Sequence, residues 1–175
     1  MGYKTSIMRY FLIGFMGTGK SYWGKQWAAA NGIAFYDLDE EIEKKEGQKI
    51  AQIFDTKGEG YFRKKEKEML HSFFEKDHFI LSCGGGTPCF FDNMTKMNQH
   101  GITIYLKTDV DELVKRLLKE KALRPVISNV KDDMLKDFII DKLKGREAFY
   151  QKAIYHFNTA YLDNDNFKKI IRLYA

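Results

Sequence analysis

Hydrophobic and polar positions along this chain switch repeatedly between two spacings. Short apolar and β-branched runs at residues 10–13, 34–36, 79–83, 103–106 and 157–161 read as strands. Between them, apolar residues recur at helical spacing. The pattern predicts helices over residues 20–30, 40–45, 50–54, 60–75, 93–99, 110–119, 132–152 and 166–174, with a break near Gly145 in the seventh. Strict alternation of strands and helices implies an α/β protein: a three-layer α/β/α arrangement around a five-stranded parallel sheet. Trp23 with Trp27, and Leu113 with Leu117, sit at helical spacing and are expected to be core stripes.

The turn after the first predicted strand carries the chemistry. Gly14-Phe15-Met16-Gly17-Thr18-Gly19-Lys20-Ser21 fits G-x-x-x-x-G-K-[ST] at every fixed position, with an apolar strand before it and a helix after it. Such a phosphate loop turns backbone N–H groups and a helix N-terminus toward phosphate oxygens. Lys20 then reaches the terminal phosphates, and the Ser21 hydroxyl is placed to ligate Mg²⁺. Gly17, Thr18, Gly19, Lys20, Ser21 and Tyr22 are therefore the expected contacts of a nucleoside triphosphate.

Asp37 and Asp39 bracket Leu38 at the carboxyl end of the second strand. In a doubly wound sheet that edge faces the phosphate loop, so both carboxylates are candidates for metal-linked or catalytic work; either could instead cap the following helix. Gly84-Gly85-Gly86 follows the third strand and offers bare backbone for a close approach. Arg63, Arg124 and Arg146 stand out where Lys is the usual basic residue, because only Arg forks a carboxylate or phosphate with two parallel bonds. Residues 121–131, around Pro125, read as an exposed loop suited to a lid.

Composition narrows the class. With 175 residues, 44% of them hydrophobic, the chain can bury one substantial core and is expected to form a single domain, residues 9–175, behind an irregular extension, residues 1–8. The start also matches M-G-x-x-x-[ST], a myristoylation pattern, but the extension is the preferred reading. No run approaches a membrane span, so a cytoplasmic protein without membrane contact is expected. Cys83 and Cys89 are too few for a disulfide framework, and the four His lack metal-ligand spacing. A net charge of +5 suits anionic ligands; because basic residues alternate with acids, nucleic acid is not an expected partner.

Taken in order, these segments resemble the shikimate kinases. The similarity runs from about Arg9 to Ala153. It includes the phosphate loop, Asp37-Leu38-Asp39, Gly58-Glu59-Gly60-Tyr61-Phe62-Arg63, the triple glycine, Arg124-Pro125 and Gly145-Arg146-Glu147-Ala148. The resemblance implies a small phosphate-loop kinase fold with a mobile lid, about residues 117–131, a substrate-binding region at about 39–75, and a monomer. It implies transfer of the γ-phosphoryl group of ATP, with Mg²⁺, to the 3-hydroxyl of shikimate. Lys20, Asp39 and Arg124 would be catalytic, with Arg124 also holding nucleotide phosphates, and Ser21 and Asp37 would serve the metal. Asp39, Arg63, Gly84, Gly85, Gly86 and Arg146 would bind shikimate. Glu66 falls where the family has an orienting acid, and Arg116 near the adenine. Asp39 would act either as a base or as an orienting acceptor. Tyr22, Trp23 and the loop from Asp163 to Asn166 depart from the usual family residues. Another small-molecule kinase (gluconate, dephospho-coenzyme A or nucleoside monophosphate), or a nucleotide-binding module without catalysis, is the alternative.

Overall fold

The computed structural model describes residues 8–121 and 124–174. Most of the expected extension, and Ala122 and Leu123 of the expected lid, lie outside the described residues.

Five parallel strands form one sheet in the order β2-β3-β1-β4-β5: β1 (Arg9–Ile13), β2 (Ala34–Asp37), β3 (Phe79–Ser82), β4 (Ile102–Lys107) and β5 (Tyr155–Asn158). β1 is central, with Tyr10 opposite Ile80 on one side and Ile102 on the other. Its near-continuous apolar sequence follows from that place, since a central strand covered on both faces has no solvent side to mark with polar residues. Successive side chains then divide between two cores. Tyr10 and Leu12 pack with Trp27, Ile80, Ile104 and Phe167, whereas Phe11 and Ile13 pack with Leu38, Leu70, Leu81 and Tyr150. A third cluster joins Phe15, Leu113, Leu117, Ile127, Leu135 and Ile139 beside the phosphate loop.

The helices are α1 (Lys20–Asn31), α2 (Leu38–Glu46), α3 (Ile50–Ser72), α4 (Asn93–His100), α5 (Val110–Glu120), α6 (Pro125–Ser128), α7 (Leu135–Tyr150) and α8 (Asn164–Tyr174). The two helices expected over residues 50–75 are one kinked element: Gly58, at φ 78° and ψ 167°, breaks the helical path inside α3. Three expectations fail in detail. α7 runs unbroken through Gly145, where one glycine costs only about 1 kcal/mol and the flanking turns hold. The last strand lies earlier than expected and ends at Asn158, whose side chain accepts from the Ala160 N–H and turns the chain into the 3₁₀ segment Thr159–Tyr161. A short helix, α6, begins where an irregular loop was expected, with Pro125 at its first turn. Among the described residues, no helix is long and apolar enough to cross a membrane.

Candidate active site

All strands end on the same edge of the sheet, and the loops leaving β1 and β3 lie side by side there. Strand order reverses at β1, which opens a crevice outside the carboxyl ends. A cleft of about 650 Å³ occupies it, lined by residues that include Gly17, Gly19, Lys20, Ser21, Tyr22, Asp37, Asp39, Gly84, Gly85 and Arg124.

The phosphate loop has a shape only glycine permits at its first position. Gly14 has φ +143°, and a methyl group there would meet the Leu106 carbonyl oxygen at 2.6 Å. The loop wraps back so that Lys20 Nζ donates to the carbonyls of Gly14 (2.9 Å) and Phe15 (2.8 Å). Burial pushes the Lys20 ammonium down to about 8, against the pull of Asp37 and Asp39. Thr18 is turned inward, its hydroxyl donating to Phe15 O at 2.9 Å, so its side chain braces the loop and does not line the cleft.

The two aspartates part company. Asp37 closes β2 and caps α2, accepting from the Asp39 N–H at 3.1 Å, while its other oxygen accepts from the Ser21 hydroxyl at 2.7 Å. Asp39 was expected beside it on the strand end; it lies in the first turn of α2, because the cap starts that helix at Leu38. Among the described residues, Asp39 Oδ1 is buried with no hydrogen-bond partner. Burial first, then the Asp37 and Glu66 carboxylates, pushes Asp39 up to about 7, against the pull of Lys20 and Arg63.

Opposite stands the glycine run, where the absence of side chains is used at every position. A methyl on Gly84 would sit 3.2 Å from Asp39 Oδ1, Glu66 Oε1 and Thr87 Oγ1. On Gly85 it would lie 3.3 Å from Arg146 Nη1 and 3.5 Å from the Gly14 carbonyl, so the glycine floor and the phosphate loop adjoin. On Gly86 it would collide with the Arg63 guanidinium at 2.7 Å. Arg63, from α3, donates to Glu66 Oε2 at 2.9 Å and to Glu59 Oε1 at 3.1 Å, with its guanidinium 4.0 Å over the Phe90 ring. Glu66 is fully buried and also accepts from the Thr87 hydroxyl at 2.6 Å. Arg146, from α7, lies 5.5 Å over the Phe15 ring. Tyr150, one turn further on, donates to Gly85 O at 2.5 Å and fixes the floor's backbone.

Arg124 donates through Nε (2.9 Å) and Nη2 (2.5 Å) to Glu120 Oε2 at the cleft wall. Arg116 donates to Glu112 at 2.8 Å and to the Gly17 carbonyl at 3.2 Å. Thr87, Phe90, Glu120 and Tyr150 escaped sequence reasoning, since each acts only through a partner that residue type alone does not reveal. Trp23, expected in the core, is half-buried and lines the cleft.

The oxygen-only pair Ser21 and Asp37 fits a hard cation that keeps waters and shares phosphate oxygens, as Mg²⁺ does. Among the described residues, no group of three or more His, Cys, Asp or Glu side chains is arranged to hold a metal ion.

A phosphate loop at the switch point of a parallel sheet, facing a buried carboxylate and two arginines across bare glycine backbone, defines a phosphate-loop kinase for a small acceptor. The family model described as "Shikimate kinase" matches residues 16–174. The shikimate kinase of Parabacteroides distasonis is 46% identical over 147 residues, 84% of this chain and 85% of its own. The crystal structure of shikimate kinase from Bacteroides thetaiotaomicron superposes with a TM-score of 0.90 at 37% identity, covering 95% of this chain and 99% of that one. That of Acinetobacter baumannii shikimate kinase in complex with shikimate gives 0.83 at 31% identity, covering 96% and 93%. This chain belongs to the shikimate kinase family, a family of ATP-dependent kinases.

Proposed function

We propose that this enzyme transfers the γ-phosphoryl group of ATP to the 3-hydroxyl of shikimate, giving shikimate 3-phosphate and ADP. The observation that carries the reading is the orphaned Asp39 Oδ1, buried against the glycine floor beside Arg63 and Arg146. A buried acceptor without a partner costs stability unless a ligand's hydroxyl supplies the missing bond. A small polyol carboxylate supplies it while its carboxylate takes the two guanidinium groups.

In that arrangement Asp39 accepts from the attacking hydroxyl and aims its oxygen at the γ-phosphorus. The new P–O bond forms as the bond to the β-phosphate oxygen breaks; the hydroxyl proton passes to Asp39 or, if Asp39 only orients, to solvent. Lys20 leaves the Gly14 and Phe15 carbonyls for the β- and γ-phosphates, and Arg124 leaves Glu120 to cover the transferred group. Gly17, Thr18, Gly19 and Tyr22 contribute backbone to the phosphate cradle. Bound Mg²⁺, held through Ser21 and by Asp37 through water, would neutralise developing phosphate charge. Phosphoryl transfer asks mainly for positioning and charge stabilisation, and a lid arginine adds on the order of 10³-fold in rate.

Residues 117–131 serve as the lid and 39–75 as the acceptor-binding region. The enzyme is taken to work as a monomer, and ATP use with two free thiols supports a cytoplasmic setting. An ADP-release assay over shikimate, gluconate and nucleoside monophosphates tests the reading. Shikimate-dependent, EDTA-sensitive turnover is expected; turnover with another acceptor and none with shikimate would overturn it.

A further inference from the structure

We infer that Trp23 is the stacking platform for the nucleotide base, an affinity-determining residue placed by the first turn of α1. The inference rests on the kinase reading above and adds a residue to its donor half. Trp23 lies four residues beyond Gly19, so the helix carries the indole back over the end of the phosphate loop. A methyl group on Gly19 would stand 3.5 Å from Trp23 Cδ1, 3.9 Å from its Nε1 and 4.0 Å from Arg116 Nη1. The indole edge and a guanidinium nitrogen therefore approach one point beside Gly19, the residue that caps the start of the helix. Both side chains line the cleft, together with Tyr22 and Thr159.

The indole is held from behind. Trp23 packs against Trp27 at 5.7 Å between ring centroids, and Trp27 stacks on Phe167 at 4.9 Å with planes 3° apart. Tyr22 meets Trp23 edge-on at 5.4 Å. Trp27 Nε1 donates to the Asp163 carbonyl and is held in turn. Arg116 is fixed in turn by Glu112 and the Gly17 carbonyl. A rigid aromatic surface with a cation beside it, at the end of a phosphate site, suits a flat heteroaromatic ring. Such stacking tolerates different bases because every base presents a π-face.

Calorimetric binding of ATP and of inorganic tripolyphosphate to wild type, Trp23→Leu and Trp23→Phe separates a base platform from a general support of the loop. Trp23→Leu is expected to weaken ATP by about ten- to a hundredfold while leaving tripolyphosphate unchanged, and Trp23→Phe to recover most of the loss. Equal losses for ATP and tripolyphosphate would make Trp23 a structural support of the loop and overturn the inference. Unchanged ATP affinity in Trp23→Leu would overturn it too. Shikimate turnover by wild type is measured alongside: its absence would count against the kinase reading alone, because the binding comparison does not need turnover.

Discussion

The substitution Asp39→Asn should stabilise the protein while disabling it, and the gain should depend on pH. Burial and two neighbouring carboxylates raise Asp39 from 3.8 to about 7. Below about pH 4 the carboxyl is protonated both folded and unfolded, and it contributes no pH-dependent term. Between about 4 and 7 the unfolded chain releases the proton and the folded chain keeps it. Stability then falls as pH rises, by roughly 1.4 kcal/mol per unit, to a total of about 4 kcal/mol near neutrality. The amide of the variant has no charge to bury, so its advantage should grow from roughly 1.5 kcal/mol at about pH 5 to roughly 4 kcal/mol at about pH 8. The window stops there because Lys20, pushed down to about 8, begins to lose its own proton in the folded state. Urea denaturation of both proteins across that range measures the difference directly, and groups that titrate alike in both cancel. A gain independent of pH, or a net loss at the alkaline end, would refute the claim that an ionised, unpartnered carboxylate is held there. At saturating substrates the same variant should lose mainly kcat, and wild-type kcat/KM for shikimate should fall as Asp39 protonates below about pH 7.

Two further substitutions probe the acceptor side. Arg63→Ala should weaken shikimate binding by roughly 2–5 kcal/mol while ATP binding holds, because truncation also leaves the buried Glu66 without its cationic partner; equal losses for both ligands in calorimetry would place Arg63 in a structural role. Gly86→Ala should raise the KM for shikimate with little change in the KM for ATP, since the new methyl group meets the Arg63 guanidinium at 2.7 Å and must displace it; unchanged steady-state kinetics for shikimate would contradict the close packing.

The shape of the phosphate loop was legible in the sequence, because it is a local device: strand, turn and helix N-terminus lie within adjacent residues, and each fixed position has a steric or electrostatic reason. The five strands and their order along the chain were legible for a similar reason, as buried parallel strands are nearly unbroken apolar runs. Two of the failures turned on side chains that bond to backbone. The Asp37 cap moved Asp39 from strand to helix, and the Asn158 side chain ended β5 early. Trp23 shows the limit of helical periodicity, which places it on the same stripe as the fully buried Trp27 but cannot tell a core from a cleft wall. Arg63, Arg124 and Arg146 were conspicuous by residue type. Glu66 was already marked by the resemblance as an orienting acid, whereas Glu120, the Phe15 ring and the Tyr150 hydroxyl beneath Gly85 became visible only once the chain was folded.

The central claim is that the cleft presents one particular oxygen of shikimate to the γ-phosphoryl group. Phosphorus–proton correlation NMR of the product made from ATP and shikimate tests it most directly. The account requires a single phosphate ester whose phosphorus couples to the proton on carbon 3. Phosphorus on another hydroxyl, a mixture of esters, or ADP with free phosphate and unmodified shikimate would contradict it.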